Sequence, residues 1–232
     1  MFKTNITLCS TLASLALALF LASIPAATAS ASGPVWHVAG KKLGQETKQT
    51  KLQIKGAAVL NMKVGGAEIK VVCNNNVSEG AAIEGPNQGK GRLSYTSCKV
   101  EKPSSCTIAE PVVTTQLKTH LGINPNNKQQ KYAELFEPQQ GRTVFVFKFS
   151  GSGCGTILGS QSVKGNIAAG IMPVDQEVQE GLLNFPAAPI TEIEIEQQKI
   201  KPALSWANEL FTLTGAYGAR LGTGESWGAF GQ

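Results

Sequence analysis

The chain has 232 residues, of which 42% are hydrophobic and only 16% charged, a balance that excludes an intrinsically disordered protein. The formal net charge is +5, carried by lysine far more than arginine. The lysines are not interleaved with aromatic residues, which argues against a nucleic-acid partner.

The N-terminus reads as a leader. Lys3 precedes an apolar run from Leu12 to Ile24, Pro25 breaks it, and small residues follow. Ala27-Thr28-Ala29 and Ala29-Ser30-Ala31 both satisfy the small-x-small rule for signal peptidase. The expectation is a cleaved signal peptide over 1–29 and one exported domain over 30–232. Cys9 belongs to the leader. No second apolar stretch is long enough to cross a bilayer as a helix.

After the leader, period-two alternation recurs almost everywhere. PVWHVAG predicts a first strand with Trp36 buried. AAVLNMKV places Ala58, Leu60, Met62 and Val64 on one face. AEIKVVC groups Ile69, Val71 and Cys73, and GRLSYTSC groups Leu93 with Tyr95. TVFVFKFS is the strongest case, with Phe145, Phe147 and Phe149 on one side. TEIEIEQ alternates Ile193 and Ile195 against Glu192, Glu194 and Glu196, and ELFTLTG adds Phe211 and Leu213. Gly, Pro and Asn clusters separate these runs at short intervals. DQEVQEGLL and PALSWANELF are ambiguous with helix. The fold expected is all-β, an antiparallel sandwich or barrel of about ten to thirteen strands with at most one short helix. If two lobes exist, the break lies in the polar stretch 120–130.

Four cysteines follow the leader: Cys73, Cys98, Cys106 and Cys154. An even number in an exported chain favours two disulfides. C-x-x-C is absent, and neither His37 nor His120 is near a cysteine in sequence, so neither a zinc site nor a redox dithiol is indicated. Of the three connectivities, Cys73–Cys98 with Cys106–Cys154 is favoured; Cys98–Cys106 would instead clip two strands across a Pro turn. The favoured bridges close loops of about 25 and 48 residues, worth roughly 3.5 and 4 kcal/mol by chain entropy.

Charge is uneven along the chain. Lysines cluster early, and residues 165–198 carry six acidic side chains and no basic one. A face formed by Lys48, Lys51, Lys55 and Lys63 would suit an anionic partner such as an envelope polymer or lipid headgroups. The plainer reading is solvated strand faces that pair with the late glutamates. Catalytic signatures are thin. Glu192, Glu194 and Glu196 lie on one strand, whereas a glycosidase draws its acid and base from facing walls. Asp175 is the sole aspartate, and no G-x-S-x-G elbow or calcium-loop pattern occurs. GSGCG at 151–155 lacks dinucleotide-loop spacing and reads as a bend that positions Cys154. Asn76-Val77-Ser78 fits the N-glycosylation acceptor pattern. No metal or cofactor is indicated.

The leader, WHVAGKKL at 36–43, the strand ending in Cys73, YTSCKV at 95–100 with Cys106-Thr107-Ile108, Leu213-Thr-Gly215 and GESWG at 224–228 together resemble a group of secreted bacterial β-proteins of no known activity. The resemblance implies an exported, disulfide-stapled bacterial domain and brings no catalytic residues. The function expected is a non-catalytic protein of the cell envelope or exterior, structural or binding. One alternative is a barrel that encloses lipid or another apolar molecule behind the phenylalanines. Another is a carbohydrate-active enzyme using the late glutamates.

Overall fold

A computed structural model of the protein describes residues 33–64 and 66–232; the leader reading lies outside them. In chain order the strands are β1 (Val35–Val38), β2 (Lys41–Lys42), β3 (Thr47–Val64), β4 (Ala67–Glu84), β5 (Gln88–Lys102), β6 (Thr107–Ile108), β7 (Val112–Thr114), β8 (Leu117–Ile123) and β9 (Tyr132–Pro138). They continue as β10 (Thr143–Ser150), β11 (Gly159–Gly165), β12 (Ile167–Met172), β13 (Gly181–Phe185), β14 (Ile193–Ile195), β15 (Gln198–Ile200), β16 (Leu204–Trp206), β17 (Glu209–Leu221) and β18 (Trp227–Phe230). The fold is all-β and antiparallel. The count exceeds the expected range because several strands have two or three residues, too short to show an alternation. The sole helical element among the described residues is a 3-10 segment, Ser152–Ile157, which buries Cys154.

Strands β3, β4, β5 and β17 are the longest, and each belongs to two closed circuits. One runs β3-β4-β5-β7-β10-β11-β16-β17 and returns to β3; the other runs β3-β4-β5-β8-β9-β12-β13-β17 and also returns to β3. Strand β17 shows how the sharing works. Its residues 211–214 pair with 62–59 of β3 in the first ring, and residues 216–221 pair with 55–50 in the second. A break in register between Thr214 and Ala216, at Gly215 with φ 153°, separates the two stretches. Rings of eight strands have interiors just wide enough for side chains to fill.

The small sheet β18-β1-β2 packs at the second ring. Trp36 and Trp227 are both buried, with ring centroids 5.7 Å apart. The Trp36 amide donates to Pro86 O in the β4–β5 turn. The β14–β15 hairpin covers a separate apolar cluster of Ala133, Leu135, Ala168, Ile190 and Ile193. The described residues fall in one compact unit, and the stretch 120–130 spans the end of β8 and the turn toward β9, so no lobe boundary lies there.

Both ambiguous segments are extended. PALSWANELF is a hairpin in which Trp206 opposes Glu209 across Ala207 and Asn208, both at positive φ, as a primed two-residue turn requires. In DQEVQEGLL, Val178 bridges Trp227, and Gly181 begins β13. The disulfides are Cys73–Cys98 and Cys106–Cys154. Cys73 and Cys98 face each other across β4 and β5. Cys106–Cys154 ties the start of β6 to the 3-10 segment.

The β3–β4 ladder is interrupted. Residues 47–49 pair with 84–82, and 58–64 pair with 73–67. In the interval, side chains replace the ladder. Asn76 Oδ1 accepts from the Ile54 amide at 2.6 Å, Asn76 Nδ2 donates to Leu52 O at 3.0 Å, and Ser78 Oγ accepts from the Leu52 amide at 3.0 Å. The glycosylation-like triplet thus has a structural role, since a glycan on Nδ2 would compete with the bond to Leu52. Replacing Asn76 with Ala leaves two half-buried backbone groups, the Ile54 amide and the Leu52 carbonyl, without these partners. Urea unfolding is expected to show a loss of about 2 kcal/mol.

Candidate functional site

The first ring is filled by its own aromatics. Phe145, Phe147 and Phe149 point inward, stacked at 5.8 and 5.7 Å, and Phe211 lies 5.9 Å from both Phe145 and Phe147. At the junction of the rings the buried Tyr95 and Tyr217 hydroxyls meet at 3.0 Å. Burial pushes both phenols well above their ordinary range, so the pair stays neutral. Phe185 packs edge-on to Tyr217 at 5.4 Å, and Phe136 follows at 5.5 Å into the second ring.

Behind the interrupted part of the β3–β4 ladder lies a cavity of about 40 Å³. Thr50 and Leu52 of β3 and Ala81 and Ala82 of β4 line the side toward the gap; Trp36, Phe136, Leu183 and Trp227 line the interior. The gap follows from β4 itself. Gly80 has φ +57°, and the β4–β5 register shifts between Glu79 and Ala82. This bulge turns β4 away from β3.

Glu134 lines the same cavity and is 6% exposed. It lies on β9 in phase with Tyr132 and Phe136, the inward phase, while Ala133 and Leu135 face the outer cluster. Its Oε1 accepts from Thr119 Oγ1 on β8. Gly89 makes room for this contact: a Cβ there would stand 2.5 Å from Thr119 Oγ1 and 3.3 Å from Glu134 Oε1. Burial pushes the carboxyl up to about 7, partly offset by the Thr119 hydrogen bond. The sequence reading missed Glu134, although YAELFEP holds the signal, a carboxylate in the apolar phase of an alternating run.

The four lysines singled out in the sequence do not share one face. Lys51, Lys55 and Lys63 occupy the outward phase of β3, opposite in parity to the buried Ile54, Leu60 and Met62. Lys48 has the inward parity and lies near the end of the second ring, 3.2 Å from Glu225 and 3.8 Å from Glu46. On the outward face the register sets Arg220 directly opposite Lys51. Lys55 and Arg220 both bind the Glu180 carboxylate, whose pKa they lower. Gly218 leaves space for that bridge. Lys51 has no ion pair among the described residues. Lys63 stands across from Glu68, which binds Lys102 at 2.8 Å.

The late glutamates stay on one hairpin. Glu192 pairs with Lys199 at 2.9 Å, Glu194 faces Lys199 across the strands, and Glu196 lies in the turn at positive φ. Asp175 is also structural in its contacts. Its Oδ1 accepts from Tyr132 Oη at 2.7 Å and from the Gly231 amide at 3.1 Å, fixing the end of β18. No cluster of three metal-ligating side chains occurs among the described residues. Comparison with family models, curated proteins and solved structures finds no match to this chain.

Glu134 makes stability depend on pH with a definite sign. Between the ordinary carboxyl value of 4.5 and about 7, the folded protein holds a proton that the unfolded chain has released. Stability therefore falls as pH rises through that window and levels off above it. Urea midpoints at pH 4 and pH 8 should show Glu134→Gln losing about 3 kcal/mol less than wild type over this interval.

Proposed function

We propose that this protein is an exported, non-catalytic β-scaffold of the cell envelope or exterior that meets an anionic partner through the outer faces of β3 and β17. The observation that carries the reading is the Lys51–Arg220 pair. Like charges directly opposite on neighbouring strands are destabilising. One carboxylate, Glu180, is shared between Arg220 and Lys55, so positive charge remains that a phosphate-bearing polymer or headgroup would offset. The two disulfides support an oxidising compartment. The interior supports a surface role, because the first ring's core is occupied by stacked phenylalanines.

The test uses two phosphate sources, immobilised polyphosphate and phosphatidylglycerol vesicles. Wild-type protein should bind at least one of them and be released by salt. The double change Lys51→Glu with Arg220→Glu is expected to weaken that binding about tenfold or more, on the order of 1.4 kcal/mol. Lys48→Glu, on the other phase of β3, should leave it unchanged. Equal retention of all three proteins removes this face from the account.

A further inference from the structure

We propose that the cavity behind the β3–β4 gap is a binding site for a small primary ammonium ion, no larger than methylammonium, with the Glu134 carboxylate as its counter-charge. The site is separate from the lysine face. Its central feature is a buried acid with no cationic partner among the described residues. Thr119 provides the only hydrogen bond to the carboxyl among the described residues. The basic groups at the cavity are committed elsewhere: Lys90 to Glu84 at 2.6 Å and Arg92 to Glu79. Burial lowers the pKa of His120, next to Thr119 on β8; Lys118 adds to that shift, and Glu137 and Glu196 oppose it. An ionised carboxylate in such a place is costly until a cation reaches it.

The walls suit a cation. Trp36, Phe136 and Trp227 line the cavity, and aromatic rings attract an ammonium group through their quadrupole. Both indole N–H groups are already used. Trp36 Nε1 donates to Gln88 O at 3.0 Å and Trp227 Nε1 to Ala219 O at 3.2 Å. The indoles therefore offer ring surface and no free donor, which disfavours an anion. About 40 Å³ has room for a very small ligand or for water, and it excludes a quaternary ammonium. Gly89 keeps the carboxyl's surroundings open, as the close approach of a Cβ there shows. Thr50 and Ala81, which flank the interrupted ladder, also line the cavity, so a ligand would enter on that side.

The test is thermal unfolding at pH 8, in methylammonium chloride against sodium chloride of equal ionic strength, paired with ¹³C NMR titration of the Glu134 carboxyl. Wild-type protein should show a saturable rise in Tm of a few degrees, and the Glu134 titration midpoint should fall as methylammonium is added. Tetramethylammonium should do neither. Glu134→Gln, nearly isosteric, should fold and lose the response. A Tm rise of equal size in Glu134→Gln, an equal effect of tetramethylammonium, or an unmoved Glu134 midpoint would each overturn the proposal, the last leaving a cavity that holds water alone.

Discussion

A closed ring of antiparallel strands gives every strand a neighbour on both sides and leaves no edge strand in the circuit. Here two such rings are cut from the same four long strands. Strands β3, β4, β5 and β17 pass through both, and their partners change part-way along. Neither ring can be completed without residues whose continuation completes the other. The stacked phenylalanines of the first ring and the tryptophan-lined interior of the second are therefore consequences of one backbone arrangement. The tyrosine pair marks the junction, where a polar contact is affordable because each hydroxyl has the other as partner.

Sharing strands imposes a geometric demand at the transition between rings. Register breaks at Gly215 on β17 and at Gly80 on β4 absorb the change in direction. On β4 the adjustment separates it from β3, and Asn76 and Ser78 bond to β3 across the interval. The cavity beside Glu134 lies behind that interval. Topology thus connects the glycosylation-like triplet, a buried acid and an interior space that look unrelated along the chain.

Much of this was legible in the sequence where the cause is local. Alternation in TVFVFKFS marks the inward phenylalanines, and an even cysteine count in a strand-rich chain gave the two staples. Parity also carried information that went unused: Lys48 differs in phase from Lys51, Lys55 and Lys63, and Glu134 shares phase with Tyr132 and Phe136. Other features depend on long-range pairing and leave no local trace. Nothing near Lys51 announces Arg220 as its neighbour, because β3 meets β17 only through ring closure. The hairpin at Ala207 and Asn208 was hidden for a different reason. Alanine rarely adopts positive φ, so the turn lacks the glycine that would normally signal it.

The central claim is that the two rings form one cooperative structure because they share their longest strands. Differential scanning calorimetry of wild type, Phe147→Ala and Leu183→Ala tests it, the first substitution lying in one ring and the second in the other. The account predicts a single transition in each protein, with calorimetric and van't Hoff enthalpies equal, and with both substitutions lowering that same transition. Two resolved transitions, each lowered by only one of the substitutions, would contradict it.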